Sequence, residues 1–599
     1  MRKTIYFQEE RIINAPIGQL WSLLEDTNQL NQEIGLFPVR FSPFSHEEGS
    51  LFRQSRTKAF GAIELAWREY AFEWIKQQSY SIERVYTKGP AVRAKWKVSV
   101  EPQGKNTTLL KLKGDFTYRN LVGRLAMKMI IIPQLRKTLL YALQVEENSG
   151  GAVIRPWVKQ VAVVEKDRLG RLTAKLTAAF TNEQMIEQLI QTLVNGNDED
   201  VTSMKPLQWA ETHQFDRRQT VELFLIATKV GILDQEWSLM CPNCRVPKGQ
   251  TNSLSQLDNT VHCDLCGVDY EIDFDRYVEM RFTVNPSIRQ TSQALFCVNG
   301  PLNSPHVVAQ FRIPSHSSME LELPNWDQKL RWRVLKFNYT ASIFEGTDDT
   351  KSKLTLTESG FTEKEVAKTR FLQVENHTSE EFVMVVEEVE WDRFALTASE
   401  VTSLQLFRDL FATEVLSPDQ QIGIGKMTIL FTDLKGSTRL YESIGDALAY
   451  SDVKKHFDFL KKYIQANNGT IVKTIGDSVM AAFIQDKDAF NAALAIQKNI
   501  YLLNEKISQA VQVKIGFHTG PVIAVNANEI LDYFGRTVNM AARIQQQSVG
   551  SDIVISEHDY QDLLESNEFS LLNPTFAIES LTKQLHGVDG DTRLIRIQL

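Results

Sequence analysis

Four of the five cysteines stand as two CxxC pairs, Cys241-Pro-Asn-Cys244 and Cys263-Asp-Leu-Cys266, with eighteen residues between them. No other feature ties distant points of the backbone so tightly, because four soft thiolates delivered by two turns can close a tetrahedral metal site. The spacing predicts structural zinc on Cys241, Cys244, Cys263 and Cys266; an empty dithiol pair and a catalytic metal are the alternatives. Cys297 stands alone in an apolar run and is expected to be a core thiol. Five cysteines in 599 residues are too few for a disulfide framework, so a reducing cytoplasm is expected.

Arg245 and Lys248-Gly249 follow the first pair and Gly267 the second, an arrangement that resembles a zinc ribbon over 239–275. The second knuckle is acidic (Asp258, Asp264, Asp269, Glu271, Asp273, Asp275) and the chain carries a net charge of −8, which argues against nucleic acid. The greasiest stretch, Leu121 to Leu143, is cut by Arg124, Lys128, Pro133, Arg136 and Lys137, so no membrane span is expected. The N-terminal residues carry charge and lack an apolar h-region, so no secretory signal is expected either. A chain of 599 residues should divide into several domains of ~100–200 residues.

Near the start, Ile12-Ile13-Asn14-Ala15-Pro16 reads as a strand ending where Pro16 opens a helix. Ile17, Leu20, Trp21 and Leu24 then mark one helix face. Ala94, Trp96, Val98 and Val100 alternate with Arg93, Lys95 and Lys97, predicting a half-buried antiparallel strand. Leu121 to Val145 is expected to be helical, with a kink or break at Pro133. Together with the Asp26-Thr27-Asn28 turn this resembles the START/polyketide-cyclase superfamily over residues 1–150, which implies a helix-grip fold and a candidate hydrophobic small ligand. Beyond the polar break 146–151, a helical segment is expected over 151–238, with Val221, Leu223, Phe224, Ile226 and Ala227 packed ahead of Gly231. A β-rich domain follows the ribbon over 276–402, and Ser403 to Leu416 reads as a short amphipathic helix within a linker over 403–424.

The chemistry is concentrated near the C-terminus. Met427-Thr-Ile-Leu-Phe-Thr-Asp433 is an apolar strand that delivers a carboxylate to the turn Leu434-Lys-Gly436-Ser437-Thr438, a good place for a metal–triphosphate complex. Gly469 to Phe483 reads as strand, Gly476-Asp477 turn and strand, which brings a second Asp to a strand end. Asn539 and Arg543 lie four apart, on one helix face.

Taken with Ile515-Gly-Phe-His-Thr-Gly520, these blocks closely resemble the class III nucleotide cyclase catalytic domain over 425–599. The resemblance implies an α/β sandwich with a ferredoxin-like core and two magnesium or manganese ions per active site. Asp433, Asp477 and the Leu434 carbonyl match the metal ligands. Lys473 and Asp532 match the purine-reading pair of adenylate-specific members: adenine N1 accepts from the lysine and the 6-amino group donates to the carboxylate. Guanylate cyclases typically carry Glu and a small residue there. Asn539 matches the residue that orients the ribose, and Arg543 the one that steadies charge on phosphorus. Gly436 and Gly476 match turns where a side chain would obstruct the phosphates.

The resemblance also implies a homodimer with shared sites, in which a monomer is inactive. Two positions depart from the family: Ser437 stands where many members have an aromatic residue, and Leu585-His586-Gly587 puts a histidine where a phosphate-binding lysine is common. The whole is expected to be a multidomain α+β protein, a soluble adenylate cyclase that binds ATP and is regulated by upstream domains. A guanylate or mixed cyclase, a degenerate nucleotide-binding scaffold and a hydrophobe carrier with a vestigial cyclase are the competing readings.

Overall fold

A computed structural model of the chain describes residues 4–47, 49–147, 163–258, 260–271, 273–292, 294–324, 326, 328–345, 352–412, 414–417, 420–437, 442, 445–565, 576–586 and 590–599. Thr438 and Gly587 lie outside the described residues, as does most of the expected polar break 146–151.

Pro16 does open a helix, Ile17–Leu24, which buries Leu20, Trp21, Leu23 and Leu24. The alternating stretch lies in the strand Ala91–Gly104. It pairs with Ser79–Lys88 on one side and Thr107–Tyr118 on the other, and the latter pairs with Thr4–Ile13. The helix Ile132–Ala142 closes this sheet by burying Ile132, Leu135, Leu139 and Tyr141. Pro133 does not break it. Residues Met127–Ile131 instead form a π-turn between Leu121–Ala126 and Ile132–Ala142. Proline removes a donor and its ring crowds the carbonyl four residues back, and the widened turn absorbs both. Between helix and sheet, Phe7, Tyr80, Trp96, Leu112 and Leu135 line a cavity of only ≈ 20 Å³. That is room for about one water molecule.

The N-terminal region does not stand apart. Its short strand Glu73–Ile75 pairs with Val307–Ile313, so one sheet runs on into the β-rich region. The Trp74 indole donates to the Val307 carbonyl (3.1 Å) and the Gln310 amide to the Phe72 carbonyl (2.6 Å), sealing the junction. A second sheet built on Ser317–Glu322, Phe371–Asn376 and Ser352–Thr357 packs on the first across Trp332, Leu354, Val374 and Met384.

The middle region is helical over Lys166–Ala179, Glu183–Asn195, Pro206–His213 and Arg217–Val230. Gly231, at φ +90°, ends the last helix in the left-handed conformation that glycine tolerates best. The expected helical segment therefore stops short of 238: Leu233–Met240 is a strand, pairing with Pro247–Thr251 and Val278–Val284 beside the cysteine knuckles. Arg245 ties the first knuckle to the β-rich region, donating to the Glu388 and Glu390 carbonyls and lying 4.9 Å over the Trp391 ring. The linker helix is also shorter than expected, Gln405–Leu410, because Ser403 closes a separate helix, Ala398–Thr402.

The C-terminal sheet has the order Thr470–Ile475, Ser478–Phe483, Gln421–Leu434, Val513–Ala527, Asp552–Ser556, Asp591–Gln598, Ala577–Gln584. Its first strand begins at Gln421, ahead of the expected limit at 425. Helices Asp446–Ala466 and Asp486–Asn504 cover one face, around Leu430, Phe483, Leu494, Ile496 and Phe517. The other face, with Met427, Ile429, Phe431, Met480 and Val522, joins one continuous core with Trp237, Phe282, Leu396 and Phe407 from upstream.

Candidate active site

The strand Gln421–Leu434 is buried along most of its length because hydrophobic side chains project from both faces, and this holds its C-terminal end firmly. Asp433 emerges there, half-buried, and its Oδ1 accepts from the Ser478 hydroxyl at 2.8 Å. Lys514, its partner in register on Val513–Ala527, brings Nζ within 4.0 Å of Oδ2. Asp477 sits in the tight turn closing Thr470–Ile475 onto Ser478–Phe483, and its Oδ2 accepts from the Leu434 N–H at 3.3 Å. Both carboxylates thus flank the Leu434 peptide, and such hard oxygen donors suit a magnesium-like ion.

Gly436 and Gly476 have φ of +76° and +63°, so both turns need a left-handed residue. A Cβ at either would meet nothing within 4 Å. Within the chain the requirement is therefore backbone conformation rather than space. Beneath the turn, burial pushes the His456 imidazole down to about 4, the Asp477 main chain opposing that shift, and the ring is neutral at pH 7.

Lys473 and Asp532 meet directly. Nζ lies 2.5 Å from Oδ2 of the buried carboxylate, whose Oδ1 accepts from the Tyr533 N–H at 2.8 Å. The ammonium also lies 5.3 Å from the Phe534 ring centroid. The linker helix supports both partners from below. Gln405 Oε1 accepts from the Ile471 N–H (2.8 Å), and Arg408 donates to the Leu531 carbonyl (2.7 Å) and the Tyr533 hydroxyl (3.1 Å).

Asn539 and Arg543 stand on the helix Arg536–Gln545, which buries Thr537, Met540, Ala541, Ile544 and Gln545. Asn539 is exposed and Arg543 half-buried, and neither side chain has a hydrogen-bond or ion-pair partner among the described residues. Ser437 is half-buried and His586 exposed; neither is drawn to Asp433 or Asp477 by a hydrogen bond. The structure therefore groups Asp433, Leu434 and Asp477, pairs Lys473 with Asp532, and leaves Asn539 and Arg543 unengaged. Ser478 and Lys514 were not anticipated. The serine beside Asp477 was a visible signal, whereas the lysine becomes relevant only through strand register.

The cysteines form a second constellation. All four Sγ atoms lie within 4.8 Å of one another and are buried, and they could hold a metal ion. Cys241 to Cys266 is 4.0 Å and Cys244 to Cys263 is 3.7 Å, too long for disulfides. Asn243 and Cys266 donate backbone N–H groups to the Cys241 and Cys263 sulfurs, each at 3.4 Å. Arg245 (φ +52°) and Gly267 (φ +63°) complete the two turns. Cys297 is buried as expected, and the Thr27 hydroxyl lies 3.1 Å from its sulfur.

Residues 420–579 match the family model for the adenylate and guanylate cyclase catalytic domain. Residues 169–294 match a family of unknown function, DUF5939. The chain is 30% identical over 162 residues to an adenylate cyclase of Lachancea kluyveri, covering 24% of this chain and 9% of that one. It is likewise 30% identical over 144 residues to the receptor-type guanylate cyclase gcy-8 of Caenorhabditis elegans, covering 22% of this chain and 12% of that one. The chain thus spans only a small part of these relatives' length. The crystal structure of the adenylyl cyclase CyaB from P. aeruginosa is 23% identical and covers 30% of this chain and 95% of that one, with a TM-score of 0.26. The C-terminal region is a class III adenylate/guanylate cyclase catalytic domain.

Proposed function

We propose that the chain is an adenylate cyclase, a lyase that closes ATP to 3′,5′-cyclic AMP with release of pyrophosphate. The observation that carries this is the pair formed by Lys473 and the buried Asp532, 2.5 Å apart. Opened around a purine, it offers a donor and an acceptor in the order that adenine N1 and its 6-amino group require. Guanine presents the opposite pattern, and each mismatched buried hydrogen bond costs roughly 1–3 kcal/mol. A guanylate or mixed cyclase remains the second reading, favoured by the match to a guanylate cyclase.

Asp433, Asp477 and the Leu434 carbonyl would hold two magnesium or manganese ions. Bound there, the ions supply positive charge against the triphosphate and the developing pyrophosphate. Ser478 fixes the Asp433 carboxylate and the Leu434 N–H fixes that of Asp477, so both ligands are oriented in advance. Asn539 orients the ribose so that its 3′-oxygen faces the α-phosphorus, and the Arg543 guanidinium, without a partner among the described residues, steadies the charge that builds there. Gly436, Ser437 and His586 are the candidates to meet the phosphates: the first two lie in the turn after Asp433, and His586 is exposed. Asn539 and Arg543 find no partner among the described residues, which supports a homodimer whose sites are completed across the interface.

The four thiolates suit structural zinc. A tetrahedral site with bonds of about 2.3 Å has sulfur–sulfur edges of about 3.8 Å, close to the 3.7 and 4.0 Å observed. Metal analysis should find about one zinc per chain, and zinc-free protein prepared without chelators would discard the site. In the START/polyketide-cyclase-like reading of the N-terminal region, a hydrophobic ligand would have to displace side chains, since the cavity is ≈ 20 Å³. No helix among the described residues is long and apolar enough to cross a membrane, and the free cysteines accord with a cytoplasmic setting.

The deciding measurement is cyclic AMP formed from ATP by the full chain with magnesium or manganese. No product with either metal would favour the degenerate scaffold, and faster turnover of GTP would favour the guanylate reading.

A further inference from the structure

The helical stretch Leu121–Ala142 is amphipathic in an unexpected sense. Gly123 and Met127 face inward, whereas Leu121, Leu125 and Met129, at i, i+4 and i+8, form an outward line with 72%, 59% and 68% exposure. Val122 beside them is 73% exposed. Arg124 and Lys128 run along the same side, exposed and without an ion-pair partner among the described residues.

A second apolar point lies at the same end of the N-terminal region. The hairpin between Ser50–Ala59 and Ile63–Tyr70 exposes Phe60 and Ile63 at its tip. Phe60 is held at φ +51°, a strained setting for a bulky aromatic residue. Packing ties this tip to the helix. The Lys88-Gly89-Pro90 turn approaches Leu65 of the hairpin at Gly89, and its Pro90 carbonyl lies so close to Gly123 that a Cβ there would come within 2.2 Å. Arg119 donates its N–H to the same carbonyl at 2.9 Å. The rim adds Arg56 and Lys58, both exposed and without ion pairs among the described residues. The carboxylate on this rim, Glu64, pairs with Lys88 at 3.0 Å and also feels the charges of Arg56 and of Lys58, its cross-strand neighbour, so the basic groups outnumber it.

We infer that this end of the N-terminal region is a docking surface for anionic phospholipid bilayers, lying on the membrane without spanning it. Two sets of exposed apolar side chains at one end of the fold, with basic groups around them, match the requirements of an interfacial site: burial of the tips among acyl chains and attraction of the rim to anionic headgroups. The long basic side chains can keep their charges at headgroup level while their stems lie along the apolar line. The local charge runs against the chain's net charge of −8, so it does not follow from the composition of the whole chain. A second copy of the chain is a poor occupant, because it would set one basic rim against another.

The test is sedimentation of the full chain with vesicles of phosphatidylcholine alone and of three parts phosphatidylcholine to one part phosphatidylglycerol. Binding to the mixed vesicles should exceed binding to neutral ones by at least about tenfold and weaken with salt. The Leu121→Glu/Leu125→Glu variant should lose at least about tenfold in binding, with its melting temperature and cyclase activity unchanged. Should that variant fail to fold, Arg124→Gln/Lys128→Gln carries the test, losing the preference for anionic vesicles. Absence of binding to mixed vesicles, or binding that the folded variants leave unaltered, overturns the inference. So does a vesicle-independent dimer that Leu121→Glu/Leu125→Glu dissolves, which would make the surface a self-association face.

Discussion

The two faces of the C-terminal sheet are covered by different parts of the chain. On one, helices Asp446–Ala466 and Asp486–Asn504 bury Leu430, Val479, Phe483 and Phe517, and everything needed lies within the catalytic region. On the other, Ile422, Met427, Phe431, Leu531 and Tyr533 share their core with the linker and with the middle region as far back as Leu169. Asp433 and Asp477, the proposed metal ligands (the metal side), stand at the end of the sheet, beyond either core, and the proposed base-reading pair forms the base side. The base-side pair Lys473–Asp532 rests on strands that Gln405 and Arg408 of the linker grip directly. The contrast teaches that the Asp433 and Asp477 end is built within the catalytic region, whereas the strands of Lys473 and Asp532 are coupled to upstream structure. That is a physical route by which upstream regions could regulate the enzyme.

The largest effect should come from the metal side and should leave stability alone. In the proposed reading, Asp433→Ala or Asp477→Ala removes charge that would hold metal against triphosphate, at half-exposed positions beside a strand end. Turnover should vanish while the melting temperature stays put. Residual activity above about a tenth of the unmodified rate, a loss of under ~1.4 kcal/mol, would contradict the two-metal assignment. Inactive Asp433→Ala chains mixed with inactive Arg543→Ala chains should partly recover activity, because one intact site forms per mixed dimer. No recovery despite demonstrated subunit exchange would sink the shared-site reading.

The next effect is on stability and tests the shared face. A fragment of residues 420–599 keeps its own helices but exposes the side that packed on the middle region. Freeing even four of these side chains, Ile422, Met427, Leu531 and Tyr533, costs on the order of 6–12 kcal/mol at about 1.5–3 kcal/mol each, comparable with the whole stability of a domain. The fragment should therefore melt far below the full chain or bind a hydrophobic dye at 25 °C. A fragment melting within a few degrees of the full chain would mean that the shared core contributes little.

This difference also explains what the sequence could reveal. The metal-side elements were legible because each is local: an apolar strand ending in Asp433, and a Gly476-Asp477 turn between two strands. The cysteine knuckles were legible for the same reason, since CxxC spacing is itself a short-range geometry. What was not legible depends on pairing between distant segments. Lys514 faces Asp433 only through strand register. The Glu73–Ile75 to Val307–Ile313 pairing joins regions that read as separate domains. Of the kink or break expected at Pro133, no break occurs, because a π-turn relieves the clash within the helix, a remedy that periodicity does not register.

Arg408 offers a finer probe of the coupling. Its guanidinium donates to the Thr402 and Leu531 carbonyls and the Tyr533 hydroxyl, and lies 5.4 Å from the Tyr533 ring centroid. Arg408→Ala should cost about 1–3 kcal/mol of stability. It should also raise the KM for ATP without changing the metal concentration needed for half-maximal rate, since it loosens the strand of Asp532 and not that of Asp433. Equal disturbance of both parameters would deny the division between the two sides.

The smallest expected change is the most specific. Lys473→Glu with Asp532→Cys should move preference from ATP towards GTP, because Glu accepts from guanine N1–H and N2–H while the thiol can donate to O6. The unmodified protein should favour ATP by at least about tenfold in kcat/KM, the equivalent of one mismatched buried hydrogen bond at roughly 1–3 kcal/mol. The double change also removes the ion pair and leaves the Tyr533 N–H without its carboxylate acceptor. Overall activity should therefore fall even as the ratio shifts, and only the ratio is diagnostic. If Lys473 were a solvated strand residue and Asp532 only a turn former, activity would fall with the ATP-to-GTP ratio unaltered. An unaltered ratio in the folded double variant would end the adenylate assignment on these two residues, even if cyclase activity survived.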